Sequence, residues 1–209
     1  MLATGAIAPM ASPVSGATGD VDEPTLRRYT EFLVDGGVHG LFPCGSIGEF
    51  TSLTAGQRRR VVETVVDASG DVPVYAGCGD TSLAAVREHV DAAAAAGADA
   101  AVVVTPYYLS TTQAGLERFL RAVADDAALP VVLYNIPGLT GQDVAVETVR
   151  ALATHENVVG IKDTTGDVGR LFDLVAETPA DFRVLQGSTD LAVASLDAGA
   201  DGLVAGPAN

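Results

Sequence analysis

The stretch Val158-Val159-Gly160-Ile161-Lys162-Asp163-Thr164-Thr165-Gly166 is a short apolar run that ends in polar residues and glycine. A run of this kind, bounded by turn residues, is typical of a strand buried in a parallel sheet. The sequence has 12 lysine and arginine residues, and Lys162 is the only lysine among them. An arginine side chain stays protonated at any ordinary pH, so it cannot replace lysine where a neutral amine is needed.

Lys162 is therefore a candidate for covalent chemistry. A lysine beside an apolar strand loses hydration, which lowers its pKa and leaves a free amine that can attack a carbonyl carbon. The alternative interpretation is a lysine at the end of a strand that simply reaches solvent. The stretch alone leaves both interpretations open.

Strand-like and helix-like segments alternate along the whole chain around this stretch. Besides the lysine strand, which comes sixth, the predicted strands are residues 2–10, 40–45, 72–77, 100–105, 130–135, 183–186 and 202–205. Seven predicted helices lie between them, the second with capping-box spacing at Thr54 and Gln57. Eight strands alternating with helices predict parallel βαβ units, and the count favours a closed (β/α)8 TIM barrel over an open doubly wound sheet.

The chain stops directly after the predicted eighth strand. We therefore expect residues 1–209 to form a single barrel that lacks the last helix and any C-terminal helical extension, as in a truncated chain. The sequence has no linker and no sign of a second domain.

The net charge of −15 argues against nucleic acid and anionic membranes as partners. Near-absence of lysine together with this charge resembles the surface of proteins from salt-loving organisms. No apolar run is long enough for a membrane helix, and residues 1–13 lack the basic start of a secretory signal. Cys44 and Cys78 lie at the ends of apolar runs, and two such thiols suggest a reducing cytoplasm.

In barrels of this type the chemistry sits at the carboxyl ends of the strands. Those ends offer one amine, several phenols and hydroxyls, without a cluster of histidines or carboxylates. This set suits carbonyl chemistry through an imine better than metal or hydride chemistry. His39, His89 and His155 have no metal-ligand spacing, and no phosphate loop or dinucleotide fingerprint occurs. We therefore expect neither a metal nor a cofactor.

Four motifs resemble the family of dihydrodipicolinate synthase, N-acetylneuraminate lyase and 2-keto-3-deoxygluconate aldolase, the lysine-dependent class I aldolases. Gly45-Ser46-Ile47-Gly48-Glu49 resembles the family's G-[ST]-T-G-E loop. Pro106-Tyr107-Tyr108 and Tyr134-Asn135-Ile136-Pro137 resemble its two tyrosine motifs, and Gly160-Ile161-Lys162-Asp163 resembles its Schiff-base strand. The resemblance covers essentially the whole chain, with the motifs in the family's order.

The resemblance implies a role for each matching residue. Lys162 would form an imine with a 2-keto acid, and Tyr134 would be the general acid and base. Ser46 would relay protons and help to hold the substrate carboxylate. Tyr108 would complete the relay from a neighbouring subunit, since the family forms a tight dimer, so we expect a homodimer or homotetramer. The remaining expected substrate-binding residues are Ile47, Thr164, Gly187 and Val204.

Purely structural explanations also exist for several of these residues. Tyr134 is otherwise a core tyrosine with a satisfied hydroxyl, and Ser46 is otherwise a turn residue in a glycine-rich loop. Gly187 and Val204 are about as readily explained by structure as by function.

Two departures from the family pattern guide the substrate prediction. Ile47 replaces the second hydroxyl of the loop, and Leu139 occupies the position where dihydrodipicolinate synthases carry an arginine for the acceptor carboxylate. We therefore predict an aldolase of carbohydrate metabolism that cleaves 2-keto-3-deoxygluconate, or its 6-phosphate, to pyruvate and glyceraldehyde or its phosphate. The alternatives are a dihydrodipicolinate synthase or keto-acid dehydratase of the same family, and a non-catalytic truncated barrel.

Overall fold

Parallel strands and intervening helices alternate along the chain in the computed structural model, which describes residues 4–16 and 18–209. The strands in this part are β1 (Gly5–Pro9), β2 (Gly40–Phe42), β3 (Tyr75–Gly77), β4 (Ala100–Val104), β5 (Val131–Asn135), β6 (Val158–Asp163), β7 (Arg183–Gln186) and β8 (Gly202–Val204). The helices are α1 (Glu23–Asp35), α2 (Ala55–Ala68), α3 (Leu83–Ala96), α4 (Gln113–Asp126), α5 (Pro137–Thr140), α6 (Val146–Leu152), α7 (Val168–Glu177) and α8 (Ala192–Asp197).

The eight strands form one sheet that curls into a nearly closed barrel. Their order is β2-β1-β8-β7-β6-β5-β4-β3, and every pairing is parallel. A parallel bridge between Leu41 and Val74 joins the two edge strands, and the Gly77 N–H donates to the Pro43 carbonyl at 3.0 Å. The predicted TIM barrel is confirmed.

Local sequence signals set the helix starts. The Asp22 carboxylate caps α1 by accepting from the Thr25 N–H, and Pro24 stands in the first turn. Thr54 and Gln57 form the predicted capping box of α2. Helix α3 begins after the Ser82 cap and ends at Gly97, whose φ of 90° suits glycine.

The bounds of three strands, β1 to β3, differ from the predicted ones. β2 ends at Phe42 rather than at residue 45, since Pro43 is followed by Cys44 with a left-handed φ of 57°. β3 begins at Tyr75, after Pro73, which cannot donate to a neighbouring strand. For the predicted strand 2–10, β1 occupies Gly5–Pro9, while Leu2 and Ala3 lie outside the described residues.

Two helical regions also depart from prediction. The short helix α5 forms where a loop was expected, directly after β5. The last of the seven predicted helices, between the predicted strands 183–186 and 202–205, is divided into a 3₁₀ turn, Thr189–Leu191, followed by α8.

Apolar side chains fill both the barrel interior and the layer between strands and helices. All five residues of β4 and all five of β5 are buried, as expected for parallel strands covered on both faces. After β8 the chain forms a 3₁₀ turn, Gly206–Ala208. Within the described ranges, the helices are too short or too polar to cross a bilayer.

Candidate active site

Lys162 and Tyr134 lie side by side at the carboxyl ends of β6 and β5. The parallel register pairs the two residues directly, so their side chains leave the sheet on the same face. The Lys162 Nζ atom is 4.0 Å from the centre of the Tyr134 ring and 5.0 Å from the centre of the Phe42 ring. Folding therefore brings together two residues that the sequence separates by the helices α5 and α6.

The Lys162 amine is held in a dry environment. The residue is only 6% exposed, and burial lowers its pKa from 10.5 to about 7. The two aromatic rings act in the opposite direction, because a ring face attracts an ammonium by about 0.5–2 kcal/mol. Loss of hydration is the larger effect, so a substantial fraction of the amine is neutral near pH 7.

A row of hydroxyls leads away from the amine. The Tyr134 and Ser46 hydroxyl oxygens are 3.3 Å apart, within hydrogen-bond distance. Burial raises the pKa of Tyr134, and the nearby hydroxyls of Ser46 and Thr164 partly offset the rise. The Thr164 Oγ1 atom is buried beside this pair. Tyr134 thus keeps its proton at neutral pH and is a proton donor.

Gly187 makes room for the lysine. A Cβ atom at this position would lie 2.2 Å from Thr164 Oγ1 and 2.9 Å from Lys162 Cε. Both distances are shorter than real contacts allow, so a side chain here would displace the amine. Val204, at the end of β8, is buried and pairs with Ile7 of β1.

A cavity of about 250 Å³ opens beside Ser46. Its lining includes Tyr107, Leu139 and Thr140, and Leu139 is 68% exposed. Among the described residues that line it, Glu49 is the only charged one. Ile47 is half-exposed on the same loop, where its Cδ1 atom lies near Gly206.

Among the described residues, the ring contacts of the Lys162 amine are with Phe42 and Tyr134 and not with the two tyrosines of the Pro106-Tyr107-Tyr108 motif. Tyr107 packs edge-to-face on Phe50, with ring centres 5.9 Å apart. Tyr108 is 92% exposed, and its φ of 76° is unusual for a residue other than glycine. In this chain it makes no hydrogen bond to Ser46 or Tyr134, both of which the structure describes.

Sequence reasoning missed two features of the site. Phe42 ends β2 with its ring against the lysine amine and edge-to-face with Tyr134; an aromatic residue in a strand normally indicates core. Arg170 forms a buried ion pair with Asp163, at 2.8 Å. A local sequence signal for Arg170 is lacking, since an arginine near a helix start normally indicates a solvated surface.

Comparison with known proteins agrees with this geometry. Residues 2–209 match the model of the dihydrodipicolinate synthetase family. The chain belongs to this family. A 4-hydroxy-tetrahydrodipicolinate synthase of Stenotrophomonas maltophilia is 44% identical over 98% of this chain and 69% of its own length. The corresponding synthase of Natronomonas pharaonis is 40% identical over 90% of this chain and 65% of its own length. The chain thus spans about two thirds of the length of these relatives.

Solved structures of dihydrodipicolinate synthase family members superpose closely. YagE, a prophage protein of the family from E. coli K12 in complex with pyruvate, is 37% identical, with a TM-score of 0.94 over 99% of this chain and 70% of its own. A dihydrodipicolinate synthase from Bacillus anthracis is 31% identical, with a TM-score of 0.95 over 98% of this chain and 70% of its own. The resemblance read from the four motifs is confirmed, and the chain is a Schiff-base-forming carbon–carbon lyase.

The predicted cleavage of a 2-keto-3-deoxy sugar acid is wrong. Dihydrodipicolinate synthetase family relatives with 38–44% identity over most of the chain are named 4-hydroxy-tetrahydrodipicolinate synthases. The prediction rested mainly on Leu139, with Ile47 as the second departure from the family pattern. Imine chemistry at the lysine serves both reactions, so a single side chain beside the acceptor does not decide between them.

Proposed function

We propose that this chain condenses pyruvate with aspartate semialdehyde through an imine on Lys162, as a synthase of the 4-hydroxy-tetrahydrodipicolinate type. The observation that carries the proposal is the sole lysine of the sequence, buried with a pKa of about 7 and paired across the sheet with Tyr134. The names of the relatives support the choice of acceptor.

In the first step the neutral Lys162 amine attacks the ketone carbon of pyruvate. The Tyr134 hydroxyl donates a proton to the carbinolamine oxygen, which leaves as water and generates the imine. Ser46, at 3.3 Å, returns a proton to Tyr134. Because Tyr108 is exposed and has a left-handed backbone conformation, we assign the outer end of this relay to Tyr108 of a neighbouring copy in a homodimer or homotetramer.

The protonated imine then acts as an electron sink. Loss of a proton from the pyruvate methyl group gives an enamine, whose carbon attacks the aldehyde carbon of the acceptor. The amine of the acceptor next attacks the imine carbon, and the bond from that carbon to Lys162 breaks. This sequence closes the ring of the product and releases the lysine.

The pyruvate carboxylate and the acceptor occupy different parts of the site. Ser46 and the backbone N–H groups of the loop through Ile47 would hold the carboxylate, and Thr164, Gly187 and Val204 would border the imine. The cavity that includes Leu139 would receive the acceptor. The described lining residues offer no cation, so backbone N–H groups and hydroxyls would bind the acceptor carboxylate, since an unpaired buried charge is costly.

The decisive experiment is reductive trapping. Pyruvate with borohydride should add a stable adduct to Lys162, located by mass spectrometry, and Lys162→Met should abolish it. In a separate sample without borohydride, the protein supplied with pyruvate should consume aspartate semialdehyde. A folded protein without the adduct would contradict imine chemistry, whereas an adduct without turnover of the semialdehyde would contradict only the acceptor.

A further inference from the structure

A buried cluster of charged and amide groups lies behind the two candidate catalytic side chains. Its centre is the carboxylate of Asp163, a residue only 2% exposed, which accepts four hydrogen bonds. Oδ1 accepts from the Thr165 N–H at 3.0 Å and from its hydroxyl at 2.5 Å. Oδ2 accepts from Asn135 Nδ2 at 2.9 Å and from Arg170 Nε at 2.8 Å. Donors from the protein thus occupy both oxygens of this carboxylate and fix its orientation.

Arg170 extends the cluster to a second segment of the chain. Its guanidinium contacts Asp143 Oδ2 at 3.3 Å and donates to the Val144 carbonyl. The Asn135 side chain reaches the same segment, with Nδ2 2.7 Å from Asp143 Oδ1 and Oδ1 accepting from the Val144 N–H at 3.2 Å. A planar guanidinium fork can serve several acceptors at fixed angles, which a lysine ammonium cannot. The cluster therefore ties α7 and residues 143–144 to the ends of β5 and β6.

The position of this cluster relative to the site follows from the strand register. Asn135 pairs with Asp163, one step beyond the pair formed by Tyr134 and Lys162. Successive side chains of a strand point to opposite faces. One face of these strand ends therefore presents the amine and the phenol, and the other face is held by the cluster.

We propose that Arg170 is a positioning residue for imine formation: through Asp163 and Asn135 it fixes the ends of β5 and β6 and so holds Lys162 against Tyr134. The inference rests on the proposed function. Catalysis by a proton donor depends on distance, and a displacement on the order of 1 Å can cost up to about 100-fold in rate. The exposed ion pair of Arg150 and Glu177, by contrast, is not part of this cluster.

The test compares Arg170→Met with a control at the opposite end of the barrel. Arg183, the first residue of β7, pairs with Asp201 at 2.6 Å, so Arg183→Met removes a partly buried ion pair without touching the site. We expect Arg170→Met to lower kcat of the condensation by about 10- to 100-fold. KM for aspartate semialdehyde should stay within about twofold, because Arg170 does not line the acceptor cavity. Arg183→Met should lose a similar amount of thermal stability and keep its kcat.

The conservative variant Arg170→Lys separates positioning from folding. A lysine restores the charge opposite Asp163 with a single point contact, so it should recover part of the lost kcat. If Arg170→Met does not fold, Arg170→Lys replaces it in the comparison with Arg183→Met. A kcat for either Arg170 variant equal to that of Arg183→Met at matched stability would overturn the proposal.

A second readout does not depend on pyruvate. Formaldehyde with cyanoborohydride modifies the Lys162 amine through the same carbinolamine dehydration, and peptide mass spectrometry separates this site from the amino terminus. We expect Arg170→Met to slow the modification about tenfold relative to Arg183→Met. If the unsubstituted protein gave no pyruvate adduct, the proposed function would fail. The formaldehyde comparison would still test whether Arg170 positions the Lys162 amine. Equal rates in the two variants would overturn the positioning role.

Discussion

At the scale of single residues, burial of the Lys162 amine lowers the stability of the folded protein. The folded protein holds this group with a pKa of about 7, against an ordinary value of 10.5. Each unit of pKa difference corresponds to about 1.4 kcal/mol, so protonated Lys162 destabilises the folded state by an amount on the order of 5 kcal/mol. Active sites commonly carry such a trade-off between function and stability.

Lys162→Met should therefore raise the free energy of unfolding by a few kcal/mol near neutral pH. Between pH 7 and 10.5 the unfolded chain holds a proton on Lys162 that the folded chain has lost. The stability of the unsubstituted protein consequently rises with pH across this window, and the advantage of Lys162→Met shrinks. Urea denaturation at about pH 6.5 and about pH 9.5 would measure the effect; an advantage that does not decrease with pH would mean that the lysine is hydrated.

Leu139 offers a test of the acceptor. An arginine in its place would project into the cavity beside Ser46 and pair with the carboxylate of aspartate semialdehyde. A hydrogen bond to a charged group is worth about 1.5–3 kcal/mol, so Leu139→Arg should raise kcat/KM for this aldehyde about tenfold or more. Leu196→Arg, at another exposed leucine, is the control. An unchanged kcat/KM would indicate that the acceptor binds elsewhere.

At the scale of elements, the barrel closes through its least regular junction. β2 and β3 are joined by the bridge of Leu41 and Val74 and by the hydrogen bond from Gly77 to Pro43. The two strands come this close because Gly77 has no side chain: a Cβ there would lie 2.0 Å from the Cys44 carbonyl oxygen. The clash would be with backbone, which cannot rotate away.

Gly77→Ala should accordingly destabilise the protein by at least about 1–3 kcal/mol, the usual cost of overpacking. Gly56→Ala provides the matched control, since Gly56 lies in α2 with no atom within 4 Å of an added Cβ. That substitution should stabilise the helix by about 0.5–1 kcal/mol. Chemical denaturation of both variants checks the prediction, and similar midpoints would mean that the junction yields to an extra methyl group.

Elements could be predicted from the sequence where the signals are local. The caps at Asp22, Thr54 and Ser82 lie within three residues of the groups they bond, so a short stretch of sequence contains the signal for each helix start. The close approach of β3 to the segment after β2, by contrast, depends on the contact between Gly77 and Cys44, which are far apart in sequence. Such a contact leaves no local pattern.

The same distinction applies to the candidate site. The motifs placed Lys162 and Tyr134 at strand ends, but the direct pairing of the two residues depends on a register that a single strand does not reveal. Arg170 lies outside every motif, and its ion pair with Asp163 depends on how the turn between β6 and α7 places the start of the helix.

At the scale of the whole molecule, the site of one copy extends beyond its own chain in our proposal. Tyr108 projects from the loop after β4 and is almost fully exposed. Two copies that exchange this loop symmetrically would each complete the site of the other. A net charge of −15 opposes such association at low ionic strength, so the assembly should be studied in concentrated salt.

Complementation tests this arrangement. Tyr108→Phe and Lys162→Met should each be nearly inactive alone, because one lacks the relay and the other the nucleophile. After the two are unfolded and refolded together, half of the dimers are mixed and each has one intact site, so about a quarter of the activity should return. A mixture as inactive as its components would place Tyr108 in the site of its own chain.

Because the sequence contains a single lysine, proteolysis next to Lys162 can report opening of the barrel. A lysine-specific endoproteinase has one peptide bond to cut, between Lys162 and Asp163, and that bond lies inside β6, flanked by β5 and β7. The fragments 1–162 and 163–209 can arise only while the central strands separate. The rate at which they appear therefore measures how often the barrel opens. A ligand bound covalently to the lysine would slow cleavage in two ways, because it would stabilise the fold and would also remove the lysine that the protease recognises.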